Sequence, residues 1–450
     1  MITGIVIAVL LVIIMVQHAI IEYGRIKRHR MGHDKLTGIC NLEHLMQKVE
    51  ELPDKKKKRL IIYSDIAEFK LINEMFGIEK GNEILIEQSK MIKKYAADGC
   101  LYGRVGEDHF VVIVDEDAFQ EQYLYECRNA LQKVMSDSVY TVRICFGIYK
   151  TNDMSESLPS MCDKASLAIA AIKDDAQRFI AYYDDTMLED AIMYKTIVDE
   201  FDEAMTSGEF KMYLQPQISA KTRQLTGAEA LVRRIKPDGK VVPPMDFIPV
   251  YEKSGLISRL DRYIWEQAAA KLGEWKKAGI NMNISVNISP KDFYYVDIYS
   301  TFVRLVKKYD IDPANLNIEI TETAIMSDVP NLMAELEKLR RAGFVVEMDD
   351  FGSGYSSLNT LKDINVDVLK VDMGFIRETK NVKKSRVILD FVIKMAKELN
   401  VSVITEGVET IEQVDNLTKL GCDTFQGYYF SKPIAVNEFE ERYLDIEKAG

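Results

Sequence analysis

The chain has 450 residues, 47% of them hydrophobic and 28% charged, a balance that belongs to globular domains rather than disordered segments. Its formal net charge of −12 argues against an open surface for DNA or RNA, whose phosphates it would repel, but not against a small anionic ligand met by local arginines or metal ions. The six cysteines, Cys40, Cys100, Cys127, Cys145, Cys162 and Cys422, are scattered with no CxxC pair, which suits a reducing compartment and speaks against a zinc site.

The chain opens with "ITGIVIAVLLVIIMVQHAII", almost wholly apolar from Ile2 to Ile21. Twenty helical residues rise roughly 30 Å, the thickness of a bilayer's hydrocarbon core. No basic residue precedes the run and no small-residue cleavage pattern follows it, so a removed signal peptide fits poorly. Residues 1–22 are therefore expected to form a transmembrane helix. Arg25, Lys27, Arg28 and Arg30 follow at once, in a basic linker over 23–33 that should hold the rest of the chain in the cytoplasm.

Residues 34–184 read as a small α/β domain. "RLIIYSDI" (59–66), "HFVVIVDE" (109–116) and "TVRICFGIYK" (141–150) are short apolar runs bounded by charge, hence strands. "EKGNEILIEQSKMIKKYA" (79–96) carries apolar residues at helical spacing, and 166–173 is placed in a helix. "TMLEDAIMYKTIVDEFDEAMT" (186–206) predicts a helical linker over 185–208, stopped at Ser207-Gly208.

From 209 to 450 short strands alternate with longer helical segments. Strands are predicted over 210–218, 225–234, 282–289, 316–323, 344–352, 366–372, 401–409 and 424–430. Eight strands in about 240 residues suggest a (β/α)8 barrel, whose sites are built at the C-terminal strand ends. The polar residues at those ends are Glu229, Asn287, Glu319, Asp349 with Asp350, Lys370, Glu406 and Gln426. Converging carboxylates repel unless protonated or bound to cations. Oxygen ligands select hard ions such as Mg2+ or Mn2+, and two such ions suit an in-line phosphoryl displacement.

"AEALVRR" (228–234), "VNIS" (286–289), "EITET" (319–323), "DDFGSGYSSL" (349–358), "LKVD" (369–372), "EGVET" (406–410) and "QGYYF" (426–430) together resemble the EAL family of cyclic di-GMP phosphodiesterases. The resemblance runs from about Phe210 to the C-terminus. It implies that Glu229, Asn287, Glu319 and Asp349 hold one metal and that Asp349, Asp350 and Glu406 hold a second, with the attacking water between them. Lys370 would orient that water, Glu406 would also take its proton, and Gln426 is a further site position. Arg233 would meet a substrate phosphate, Gln215 would line the pocket, and Glu322 would brace the loop after Asp350. No catalytic position departs from the family's pattern; the usual alanine before Glu252 is Tyr251.

The upstream domain resembles the GGDEF family of diguanylate cyclases, with damage. "DKLTGICN" (34–41) and "SDIAEFKLINEMFG" (64–77) keep Asp65 at a metal position and Asn73 at a guanine-contacting one. A second usual aspartate is Ala67, and a second guanine-contacting acid is Asn82. The signature reads "GEDHF" (106–110), with Glu107 at a glycine position and His109 in place of a carboxylate. Ala97 and Cys100 stand where a product-inhibition motif needs Arg and Asp. The expected protein is a bacterial inner-membrane enzyme, a homodimer, that hydrolyses cyclic di-GMP to linear 5′-pGpG. Its inactive cyclase domain would regulate or dimerise, with Asp65, Asn73 and Asp108 as a candidate pocket for regulatory GTP. The alternative is a non-catalytic cyclic di-GMP receptor, a class expected to have lost metal ligands.

Overall fold

The computed structural model describes residues 32–444 except 97–98, 137, 139, 174, 176, 327–330, 352–364 and 374–381, and, for side chains, also except 382–386. The apolar run of residues 2–21 and the glycine loop Gly352–Gly354 therefore lie outside the described residues. Among the described residues no helix is long and apolar enough to cross a membrane. The chain divides into two compact units, Met1–Met193 and Tyr194–Gly450.

The first unit is built on a six-stranded mixed sheet in the order β1-β3-β4-β2-β5-β6. These are β1 (Cys40–Asn41), β2 (Arg59–Ile66), β3 (Leu101–Arg104), β4 (Phe110–Asp115), β5 (Ile144–Thr151) and β6 (Ile180–Tyr182). The three strands predicted there form: 59–66 as expected, 109–116 shortened by one residue at each end, and 141–150 starting three residues later and ending one later. β2 reads B-B-B-B-i-B-i-B in burial, as expected of a central strand covered on both faces. The helix Leu158–Ala170, which begins eight residues before the predicted segment, packs on β5. Gly147 permits this, because a Cβ there would stand 1.8 Å from the Ala165 carbonyl oxygen.

The second unit is a closed barrel of eight strands. They are β7 (Phe210–Ser219), β8 (Leu225–Ile235), β10 (Ile284–Asn287), β11 (Leu316–Thr321), β12 (Val346–Asp349), β13 (Val368–Asp372), β14 (Ser402–Glu406) and β15 (Thr424–Phe425). The short β9 (Val241–Val242) and β16 (Ile434–Ala435) pair at the margin. β8 through β15 run parallel around the ring, whereas β7 is antiparallel to both β8 and β15. The regular strand–helix alternation thus starts one step late. Only residues 220–224 join β7 to β8, a hairpin length, whereas a parallel crossover needs a dozen residues or more. The last strand also stops at Phe425, and "GYYF" (427–430) turns instead.

The predicted linker is two helices, Asp185–Asp199 and Phe201–Thr206. The second belongs to the barrel unit. Phe201 stacks edge-on to Tyr251 at 4.8 Å, and both are buried with Phe210, Phe247 and Leu260. Tyr251, at the position of the family's alanine, is thus a packing residue. Around the barrel, the helix Ile257–Lys277 buries Ile257, Leu260, Ile264, Trp265, Ala268, Leu272 and Trp275, the three-and-four spacing of one helical face.

Candidate active site

Strand alternation explains how the site is assembled. Side chains two apart on a strand share a face, so each strand sends a pair inward, and the pair nearer the C-terminal end meets its counterparts. Register sets Asn287 beside Glu319, Thr321 beside Asp349, and Asp372 beside Glu406. At the centre stands Lys370, 1% exposed on β13. Its Nζ lies 2.6 Å from Glu406 Oε1, 3.0 Å from Glu319 Oε1, 3.4 Å from Glu229 Oε2 and 3.5 Å from Asp349 Oδ1. Four strands therefore surround one ammonium with four carboxylates.

Amides complete the ring. Asn287 Nδ2 donates to Glu229 Oε1 at 3.2 Å, and Gln426 Nε2 donates to Glu229 Oε2. Gln426 Nε2 also reaches Gln215 Oε1 at 3.3 Å, and Gln217 Nε2 donates to Gln426 Oε1 at 3.2 Å. Gln215 in turn donates to the Ser431 carbonyl at 3.2 Å. The site residues Glu229, Asn287, Glu319, Asp349, Lys370, Glu406, Gln426 and Gln215 are thus brought together.

Asp350 follows at the strand end with φ 56°, left-handed backbone that a side chain adopts at a cost. Its N–H turns back to Asp349 Oδ1 at 2.8 Å. Arg233 lies beside the ring, its guanidinium 5.9 Å from the Tyr213 ring. Together with Asn287 it lines a cavity of about 280 Å3, whose wall also carries Glu252 and Asp261. Glu322 is fully buried at the start of the helix Glu322–Met326; the loop it was expected to brace lies outside the described residues.

The charges are far from their ordinary states. Burial pushes the Glu406 carboxyl up to about 8, helped by Asp349 and Glu229 and opposed by Lys370. Burial pushes Glu319 well up, with Glu229 adding to it, and raises Asp350, with Asp349 and Asp372 adding to it. Glu229 goes the other way: burial opposes its ionisation, but Lys370 and the Gln426 and Asn287 amides outweigh that. Four carboxylates likewise hold Lys370 firmly protonated against burial.

The donor set fits hard divalent cations. Both Glu319 oxygens and Glu406 Oε1 are buried with no hydrogen-bond donor among the described residues, and Lys370 Nζ, despite its short approaches, makes no well-angled hydrogen bond there. Buried carboxylate oxygens without donors carry a full desolvation cost, which Mg2+ or Mn2+ would relieve. Lys370 holds these acids apart, and the compact triads of His, Cys, Asp or Glu ligand atoms among the described residues lie in the first unit instead.

Sequence reading missed a lower layer. Glu347 is 1% exposed, pushed up by burial, and accepts from Asn317 Nδ2 at 2.7 Å. Its position two before Asp349 was the available signal. Also missed were Asp261 and Asp292, acids that share a hydrogen bond and are both raised by burial, Asp292 to about 6.

In the first unit, His109 Nε2 lies 3.1 Å from Asp65 Oδ2 and 3.8 Å from Asp108 Oδ1. The Asp65 hydrogen bond raises the imidazole's pKa and lowers that of Asp65. Asp108 Oδ2 accepts from the Ile66 amide at 3.0 Å, and burial raises its carboxyl. Asn73, on the helix Phe69–Phe76, sets its amide oxygen against Gly81, where a Cβ would come within 1.9 Å.

Residues 198–433 match the family description "EAL domain". The chain belongs to the EAL family. Residues 31–178 match "Diguanylate cyclase, GGDEF domain", so the order is GGDEF, then EAL. This EAL chain is 30% identical over 429 residues to the signaling protein YkoW of Bacillus subtilis, covering 93% of this chain and 54% of that protein. It is 26% identical over 415 residues to the bifunctional diguanylate cyclase/cyclic di-GMP phosphodiesterase MucR of Pseudomonas aeruginosa, covering 90% of this chain and 61% of that one. It is 25% identical over 425 residues to the cyclic di-GMP phosphodiesterase PdeR of Escherichia coli, covering 91% and 63%. The EAL chain thus spans between half and two thirds of these relatives' lengths. A solved structure of the Pseudomonas aeruginosa MucR phosphodiesterase with c-di-GMP is similar at TM-score 0.51 and 30% identity, over 54% of this chain and 99% of that one.

Proposed function

We propose that this chain hydrolyses cyclic di-GMP to linear 5′-pGpG at the barrel's C-terminal mouth. The observation that carries the reading is Glu319 and its neighbours: buried carboxylates around Lys370, with oxygens that accept no well-angled hydrogen bond among the described residues. The names of the MucR and PdeR relatives and the c-di-GMP in the MucR structure support the substrate. Glu229, Asn287, Glu319 and Asp349 would hold one Mg2+ or Mn2+, and Asp349, Asp350 and Glu406 a second. The ions supply Lewis acidity and neutralise charge on the phosphodiester. Lys370 orients the attacking water, and Glu406 receives the water's proton. Arg233 holds a non-reacting phosphate from the cavity side, Gln215 lines the pocket, and Gln426 fixes Glu229. Calcium should inhibit, because its longer and looser coordination spoils the alignment.

The GGDEF unit serves as regulator or dimerisation module without cyclase chemistry, since His109 is tied to Asp65 where a second acid is needed. Residues 1–22 anchor the chain in the bacterial inner membrane, with both units in the cytoplasm. Incubating the full chain with cyclic di-GMP and Mn2+ or Mg2+ should yield pGpG, and incubation with GTP should yield no cyclic dinucleotide. Tight binding of cyclic di-GMP without turnover in either metal would favour the receptor alternative.

A further inference from the structure

The composition offers no zinc signature, yet the fold makes a ligand set that sequence spacing hides. His33, Cys40 and His44 bring one ligand atom each within 4.8 Å of one another. Two of only five histidines in 450 residues thus converge on one thiol. Each comes from a differently anchored piece of chain. Cys40 is 5% exposed on β1, paired in register with Gly103 of β3. His33 faces it across an antiparallel bridge, fastened by Asn41 N–H to the Gly32 carbonyl at 3.0 Å and Asp34 N–H to the Ile39 carbonyl at 2.8 Å. His44 sits in the first turn of the helix Leu42–Glu50, its N–H bound to Asn41 Oδ1 at 3.0 Å. The two imidazoles stand 5.4 Å apart at 47°. The His44 ring lies against Gly32, where a Cβ would come within 2.9 Å of its Cγ. Any other residue at 32 would push that ring away.

We infer that His33, Cys40 and His44 form a zinc site that staples the start of the GGDEF unit to its first helix. Imidazole and thiolate together suit Zn2+ rather than Mg2+ or Ca2+. Tetrahedral zinc, with bonds of about 2.0–2.3 Å, needs ligand atoms roughly 3.3–3.8 Å apart, within small side-chain adjustment of the observed gathering. On binding, the thiol's proton leaves to solvent and the sulfur bonds to the metal. The half-exposed imidazoles leave the fourth position to water. Hard cations in the barrel do not compete for this site, because sulfur is a poor ligand for them.

Cobalt(II) is the probe, because thiolate ligation gives a near-ultraviolet charge-transfer band that carboxylate sites lack. The chelator-stripped full chain should show this band, with a limiting intensity that corresponds to one thiolate-bound cobalt per chain whatever the barrel takes up, and adding zinc should abolish it. Cys40→Ser should remove it. His44→Gln, at a half-buried helix position, should keep the parent's circular dichroism and weaken cobalt binding roughly tenfold or more. Absence of the band in the parent chain overturns the site. So does a band that survives Cys40→Ser, or an affinity unchanged in His44→Gln.

Discussion

Lys370 is the residue on which the barrel's interior charge depends, since its Nζ is within 3.5 Å of four carboxylates. Removing one partner of a buried ionic cluster costs about 3–5 kcal/mol. Lys370→Met should therefore lower the melting temperature sharply in chelator, and Mn2+ should recover part of the loss; equal melting in chelator would refute the central role. Glu406 contributes to the pH dependence. Its folded pKa of about 8 lies above the ordinary 4.5, so the folded chain holds a proton there that the unfolded chain releases. This contribution to stability is present below the ordinary carboxylate range and is lost as pH rises towards 8. Mn2+ should accordingly raise the melting temperature more at about pH 8 than at about pH 6, and Glu406→Gln should flatten that difference. In kinetics, Glu406→Gln should lower kcat by roughly 100-fold with little change in KM. A matched loss in both would remove it from the proton-transfer role.

At the element scale, the end of β12 sets the metal-holding role proposed for Asp350 against local backbone preference. Asp350 holds φ 56°, where an ordinary side chain costs about 1–2 kcal/mol and glycine nothing. Asp350→Gly should keep or raise the melting temperature while abolishing hydrolysis, a split that a purely structural residue would not give. The helix Ile411–Leu420 follows β14 and opens with a capping box between Thr410 and Gln413. Thr410→Ala should cost about 1 kcal/mol, read in denaturant melts, with turnover per folded molecule unchanged. Slowed turnover would mean that the cap also positions Glu406.

For the whole molecule, the question is what the GGDEF unit does. Asp65, Asn73 and Asp108 remain, but Asp65 is engaged by His109 and Asp108 by the Ile66 amide. A ligand changes activity only by binding one arrangement better than another. GTP titrated against cyclic di-GMP hydrolysis should therefore raise the rate in the parent chain and not in Asn73→Ala. Indifference to millimolar GTP would leave the unit as a dimerisation scaffold. A C-terminal reporter active only outside the cytoplasm should stay silent, since four basic residues follow the apolar run; a signal from it would reverse the proposed topology.

The sequence alone determined where the strands lie, though not their ends, and most of the residues gathered in the candidate site. Short apolar runs bounded by charge mark strands, and the acids at their ends, from Glu229 to Glu406, stand where barrel closure gathers them. Local side-chain chemistry suffices for that, because alternation and turn residues act over a few positions. Glu347 was legible by side-chain alternation two positions before Asp349, but it lies inside its strand rather than at the end where the other acids stand. Tertiary structure decided the rest. The reversed β7, the four carboxylates on one ammonium and the meeting of His33, Cys40 and His44 all depend on register and closure. These are set by packing between residues far apart in the chain, where neighbouring sequence carries no record of the partner.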